Sequence, residues 1–337
     1  MTDDARESDQ LDGVWLPEHA PAVIGHERVL ADLLSRLEQR KLPNAILLHG
    51  PRGIGKATLA FAVAKRIFAA TSDESKEHVE AQVASGSYPN LFILRRQPRD
   101  TGRGFFTVIR VDEIRTLREK MRQTRGRAGH RVAIIDSIDD CNPNAANALL
   151  KTLEEPPAET TFLLISHRPG ALLPTIRSRC HAVAMRSLSD DDVRAVLAEQ
   201  RPDGDLDRAV DLAEGRPRRG FEALALSGDS ALGALKGWLG QPGGHPAAVH
   251  LALADSLAGN RDSADFAFAR DLIRGWIAGE ATDAATTGGP RLASANELWE
   301  KADAAFADAE EFNLDARQTL IGVLDAIRRH VQRTLPA

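Results

Sequence analysis

Cysteine is scarce in this 337-residue chain: Cys141 and Cys180 are the only two. They build no disulfide framework and cannot fill a four-cysteine zinc site, which points to a reducing cytoplasm. No apolar run approaches the ~20 residues that a membrane-spanning helix needs. Excess positive charge is missing too. Forty-three Lys and Arg stand against 48 Asp and Glu, a net charge of −5, so any nucleic acid must be met by a local patch. The ten histidines form no H-E-x-x-H or similar metal signature. Thr2 to Asp12 hold five acids against Arg6 and no apolar centre. This stretch, taken as 1–14, is expected to be a solvated, disordered acidic tail rather than a signal peptide.

What remains is an ordinary globular composition, 43% hydrophobic and 27% charged, long enough for two or three domains at ~150 residues each. Short apolar runs at Ala45–His49, Leu91–Leu94, Val132–Asp136, Thr161–Ser166 and Ala182–Met185 read as strands buried on both faces. Helical patterns at Lys56–Phe68, Val111–Thr124 and Ala145–Glu154 lie between them. That alternation predicts an α/β fold, a parallel sheet with helices on both sides, over 15–186. Ser189 before Asp192 predicts a capped helix over Asp190–Gln200, and a second short helix ends at Gly215. Residues 187–228 therefore read as a small helical domain. Beyond the breakers at 241–246 every long segment has helical period, with stripes at Leu251, Leu253, Ala254 and Leu257 and at Leu320, Val323, Leu324 and Ile327. Residues 229–337 read as an all-helical domain in which Trp238, Trp276 and Trp299 are core or interface anchors.

Gly50-Pro51-Arg52-Gly53-Ile54-Gly55-Lys56 follows the first strand and opens a helix. This is the G-x-x-x-x-G-K spacing in its strand–loop–helix context, whose backbone N–H groups and lysine cradle a polyphosphate. The alternative is a glycine-rich turn with a surface lysine. The next residue normally supplies a hydroxyl to Mg²⁺, and here it is Ala57. Thr58 lies about 100° further around the helix. Val132-Ala133-Ile134-Ile135-Asp136 ends in an acid suited to a metal site, but Ser137 follows it. Nucleotide binding is expected to survive these losses, and hydrolysis is not.

Asn142-Pro143 starts a helix that runs through Asn147-Ala148-Leu149-Leu150-Lys151-Thr152-Leu153-Glu154-Glu155 to Pro156-Pro157, and Ser178-Arg179-Cys180 follows. These strings resemble the clamp-loader branch of the AAA+ ATPases and, within it, the delta-prime family of bacterial DNA polymerase III. The likeness is strong over 24–180 and fair to 221; beyond that only helical character and length match. It implies an AAA+ P-loop core, a helical lid over 187–228 and an all-α collar over 229–337 that holds a hetero-pentameric ring together. The implied role in DNA replication is that of a rigid stator in the DNA polymerase III holoenzyme, a nucleotidyltransferase assembly. It would sit beside gamma/tau-like motor subunits and a delta-like subunit, in a ring that loads a sliding clamp on primer–template DNA in the cytoplasm, with no membrane involved.

The resemblance further implies that Ile24 and Gly25 lie near the nucleotide base. Ser166 would sense the γ-phosphate, and Arg179 would be an arginine finger acting in trans. The alternative for Arg179 is a structural salt bridge. Arg218 matches either the lid arginine that touches nucleotide or a solvated basic turn. Many relatives carry a zinc knuckle; Ala69–Asn90 has no cysteine, so no zinc is expected. The rival readings are an active AAA+ motor using Thr58 and Asp136, and a branch-migration motor, against which the Leu-Leu-Lys-Thr-Leu-Glu-Glu-Pro-Pro string argues. Twelve basic residues against four acids between Arg95 and Arg131, Arg122, Arg125 and Arg127 among them, form either a DNA-binding patch or a solvated helix face. Asn147 and Lys151, off the apolar stripe of their helix, are further candidates to face DNA. The basic segment lacks the interleaved aromatics of a base-stacking surface.

Overall fold

The computed structural model describes residues 7–99, 104–122, 129–226, 231–258, 264–312 and 314–334. The chain divides into two compact units, Met1–Phe221 and Glu222–Ala337.

The first unit is built on a five-stranded, all-parallel sheet. Its strands are β1 (Ala45–His49), β2 (Leu91–Leu94), β3 (Arg131–Asp136), β4 (Thr160–Ser166) and β5 (His181–Ala184), in spatial order β2-β3-β4-β1-β5. The central runs are apolar because both faces are covered. Ile46, Leu48, Val132, Ile134, Phe162 and Leu164 are each fully buried. The strands lie where their apolar runs predict, to within a residue at the ends. β3 and β4 each gain a residue because Arg131 pairs with Thr160.

Around the sheet lie α1 (Glu27–Glu38), α2 (Lys56–Thr71), α3 (Lys76–Ala84), α4 (Val111–Arg122), α5 (Pro143–Glu154) and the single turn α6 (Pro174–Arg177). α5 starts as expected: the Asn142 side chain accepts from the Ala145 N–H at 2.8 Å, with Pro143 at the first helical position. α3 fills the segment between the first P-loop helix and β2, anchored by buried Val79 and Val83.

Three further helices follow the sheet: α7 (Asp190–Gln200), α8 (Leu206–Ala213) and α9 (Pro217–Ala225). Ser189 caps α7 by accepting from the Asp192 N–H. α8 stops at Glu214, in the left-handed conformation, and Gly215, with φ +72°. This helical lid belongs to the first unit up to Phe221. The expected boundary at 228 falls outside the described residues.

The second unit is all-helical among its described residues: α10 (Ala231–Gly240), α11 (Ala247–Leu257), α12 (Ala264–Thr287), α13 (Gly289–Glu311) and α14 (Ala316–Thr334). Leu320, Val323, Leu324 and Ile327 form the buried face of α14, as their spacing predicts. On α11 Leu253, Ala254 and Leu257 are buried but Leu251 is exposed, which narrows the expected stripe. Trp238 is buried, whereas Trp299 is exposed and is no core anchor of this unit. Buried His330 ties three helices together: Ser294 lies 2.8 Å from Nδ1 and Glu280 3.2 Å from Nε2, and Glu280 also pairs with Arg291. Among the described residues no helix is long and apolar enough to cross a membrane.

Candidate functional site

All five strands are parallel, so their C-terminal ends share one edge, the edge at which open α/β sheets bind ligands. The residues just past those ends line a cavity of about 230 Å³ beneath the lid. Ile24, His26, Gly53, Gly55, Lys56, Ala57, Thr58, Asp136, His167 and Arg218 all face it. Seven of the ten nucleotide residues expected from the sequence thus line one cavity, whereas Gly25, Gly50 and Ser166 are not among its lining residues.

The loop between β1 and α2 has the backbone its glycines predict. Gly50, Gly53 and Gly55 have φ of 152°, 84° and 97°. At Gly50 a Cβ would overlap the Met185 carbonyl oxygen; at Gly53 it would sit 2.8 Å from the Arg218 Cβ. The Arg218 N–H donates to the Gly53 carbonyl at 3.2 Å, which joins the lid to the phosphate loop. Gly25 (φ +78°) packs against Leu188 of the lid, and His26 hydrogen-bonds the Ile54 carbonyl at 2.8 Å. Burial holds the His26 imidazole below its usual range.

Lys56 is buried and turned back on its own loop, with Nζ donating to the carbonyls of Gly50 at 2.8 Å and Pro51 at 2.5 Å. Burial lowers its ammonium to about 8, against the opposing pull of Asp136 and Asp139. Asp136 is held above the usual carboxylate range by burial, although Arg95 lies 3.5 Å away. Ser137 is buried. Ser166 donates to Asp139 Oδ1 at 2.9 Å, and Asp139 also accepts from the backbone N–H groups of His167 and Arg168. Asp139 is therefore committed to the turn after β4. His167 falls to about 4, chiefly from burial and secondarily from the charge of Lys56.

The donor set fits a polyphosphate and does not fit Mg²⁺. Residues 52–56 supply the backbone N–H groups of the loop at the start of α2, the arrangement that binds phosphate, since Pro51 has none and the Gly50 N–H donates to the Ser166 carbonyl at 3.3 Å. Position 57 has no hydroxyl, Asp136 faces Arg95, and Asp139 is engaged elsewhere. Bound nucleotide would be held by residues 52–56 without a metal-positioning hydroxyl or a water-activating carboxylate beside it.

Sequence reasoning missed an ion-pair network at this edge. Arg95, buried just past β2, makes a bidentate pair with Glu18 (3.1 and 3.0 Å) and reaches Glu7 at 3.4 Å. Arg96 pairs with Asp140 at 3.3 Å and Asp9 at 3.0 Å. The supposed free tail is thus packed from Glu7 onward, because its acids meet arginines at the strand ends. The available signal was Arg95-Arg96 directly after a strand.

Arg179 is exposed just past α6. Its guanidinium pairs with Glu154 at 2.6 Å and donates to the Thr175 carbonyl at 3.0 Å. The salt-bridge alternative is therefore realised within this chain.

A family model described as "DNA polymerase III, delta subunit" matches residues 25–189. Subunit delta' of DNA polymerase III from Pseudomonas aeruginosa is 42% identical over 141 residues, 41% of each chain. Its counterpart from Bacillus subtilis is 33% identical over 177 residues, 51% of each. Residues 25–189, just under half of the chain, are thus similar to the delta-prime family of clamp-loader subunits. The tau subunit of Bacillus subtilis is also similar, 31% identical across 64% of this chain and 39% of that protein. The chain spans about half or less of the length of these curated relatives.

The basic candidates of this chain fall on neighbouring surfaces. Asn147 and Lys151 are exposed on α5, and Arg122 is exposed at the end of α4, which packs beside α5. Arg125 and Arg127 lie outside the described residues. Cys141 and Cys180 pack against the core below the sheet edge, and burial raises their thiols to about 12 and about 11. They are inert packing groups. No cluster of three metal-ligating side chains occurs among the described residues.

Proposed function

We propose that this chain is the stator of a clamp-loader ring in DNA replication, placing Arg179 in the ATP site of a neighbouring motor subunit. The carrying observation is an asymmetry. Its own phosphate loop has Ala57 where the metal hydroxyl belongs and a buried Ser137 where the acid belongs, yet Arg179 is presented at the surface. The tie to Glu154 does not forbid this role. A pair between half-exposed side chains is worth ~0–1 kcal/mol, far less than an arginine finger contributes to phosphoryl transfer.

In this reading the partners are gamma/tau-like motor subunits and a delta-like subunit in a hetero-pentamer, joined through the collar helices of 229–337. The sliding clamp is engaged indirectly. Primer–template DNA meets the exposed side of α4 and α5, with Arg122, Asn147 and Lys151 as contacts, and the location is cytoplasmic. ATP binding at the chain's own loop is optional and silent, and no zinc takes part.

Steady-state Mg·ATP hydrolysis by the purified chain tests the disabled site, with Lys56→Ala as the control for contaminating ATPase. The expected result is no turnover above that control. Turnover that disappears with Lys56→Ala would mean that Ala57 and Ser137 are tolerated, and the chain would then be a motor.

A further inference from the structure

The acidic N-terminal segment does more than pack: it lines the cavity beside the phosphate loop. Asp9 is its centre. The Asp9 carboxylate accepts from Arg52 of the phosphate loop at 2.8 Å and from Arg96, past β2, at 3.0 Å. Its carbonyl oxygen accepts from the Arg218 guanidinium of the lid. Glu7 adds a pair to Arg95. Further along, the Asp12 carbonyl accepts from Arg201 at 3.3 Å, and the Trp15 N–H donates to Gln200 at 2.8 Å, both at the end of α7. Residues 7–11 and 14–17 line the cavity together with the phosphate loop.

Three arginines from three separate elements converge on one residue that carries a single negative charge. Such a convergence is the chemistry that recognises phosphate oxygens, since guanidinium donors match carboxylate and phosphate alike. Lys56, meanwhile, satisfies its ammonium on the loop's own carbonyls. We propose that residues 7–15 are an intramolecular strap in which Asp9 takes the place of a nucleotide phosphate, so that strap and nucleoside polyphosphate exclude one another at this chain's own P-loop. The strap also joins the phosphate loop to the lid through Arg52, Arg218 and Arg201. Nucleotide entry therefore requires release of the strap, which frees Arg52 of the phosphate loop from Asp9. The inference concerns only this chain's own loop and is independent of the role of Arg179.

The test is equilibrium binding of a fluorescently labelled ATP to the full chain, by anisotropy, with unlabelled inorganic triphosphate as competitor. Asp9→Ala leaves the P-loop untouched and removes an exposed side chain, so the fold is expected to persist. Its affinity for the labelled ATP should exceed that of the parent by at least about tenfold, the scale of one hydrogen bond to a charged group. Asp9→Glu should restore the parent value. In the parent, ATP should also speed amide hydrogen exchange in residues 7–15. Equal affinities for parent and Asp9→Ala would overturn the strap, as would no binding by either at millimolar nucleotide. Protection, rather than exposure, of 7–15 by ATP would overturn it as well.

Discussion

Two cations of the first unit sit in opposite circumstances. Lys56 is buried, lowered to about 8 and consumed by its own loop, whereas Arg179 is exposed and presents its planar guanidinium at the surface. A group that must act on a neighbour needs the second set of properties. His167 reports on the same edge. Its folded-state value of about 4 lies below the ordinary 6.5 because it is buried beside Lys56. Between pH 6.5 and 4 the unfolded chain takes up a proton that the folded chain refuses, so stability is full above 6.5 and is lost as pH falls. The slope from this group approaches about 1.4 kcal/mol per pH unit. Urea unfolding at pH 7 and pH 5 should show the loss, and His167→Gln should flatten it. An unchanged slope in that variant would assign the acid sensitivity to other groups.

Among the elements, the loop–helix unit of β1 and α2 is the most tightly determined. Gly53→Ala places a Cβ 2.8 Å from the Arg218 Cβ at a φ of 84°, so both sterics and backbone oppose it. We expect a loss of about 2 kcal/mol in urea unfolding, with displacement of the lid residue that Gly53 contacts. A loss below about 0.5 kcal/mol would mean that the lid moves aside freely. This unit was legible in the sequence because local chemistry sets it: glycines where φ is positive, an apolar run before them, a helix after. The same holds for α5, with Asn142 and Pro143 at its start, and for α7, capped by Ser189. Strand ends were legible only to a residue, because pairing with the neighbouring strand decides them. The face of Leu251 was not legible, since a short apolar helix does not declare which neighbours cover it.

At the scale of the whole molecule, the charge pattern along the chain misleads. The net charge of −5 and the acidic start suggest a solvated tail, yet Asp9 reaches Arg218, more than 200 residues away in sequence. That contact exists because a parallel sheet gathers its strand ends at one edge and the lid returns to it, a consequence of topology that no local pattern carries. The P-loop and its missing partners at 57 and 137 were readable as residues in order. The network of Glu18, Arg95, Arg96 and Asp140 was not, because its members are spread over more than 100 residues.

The central claim is that this chain acts on its neighbour's nucleotide and not on its own. Its most direct test is a clamp-loader ring reconstituted with gamma/tau-like and delta-like subunits, with ATP turnover and clamp loading measured for Lys56→Ala and Arg179→Ala in this chain. Lys56→Ala should leave clamp loading nearly intact. Arg179→Ala should slow turnover at the adjacent motor site by about 10³-fold or more. The reverse ranking, with Lys56→Ala crippling and Arg179→Ala harmless, would contradict the account.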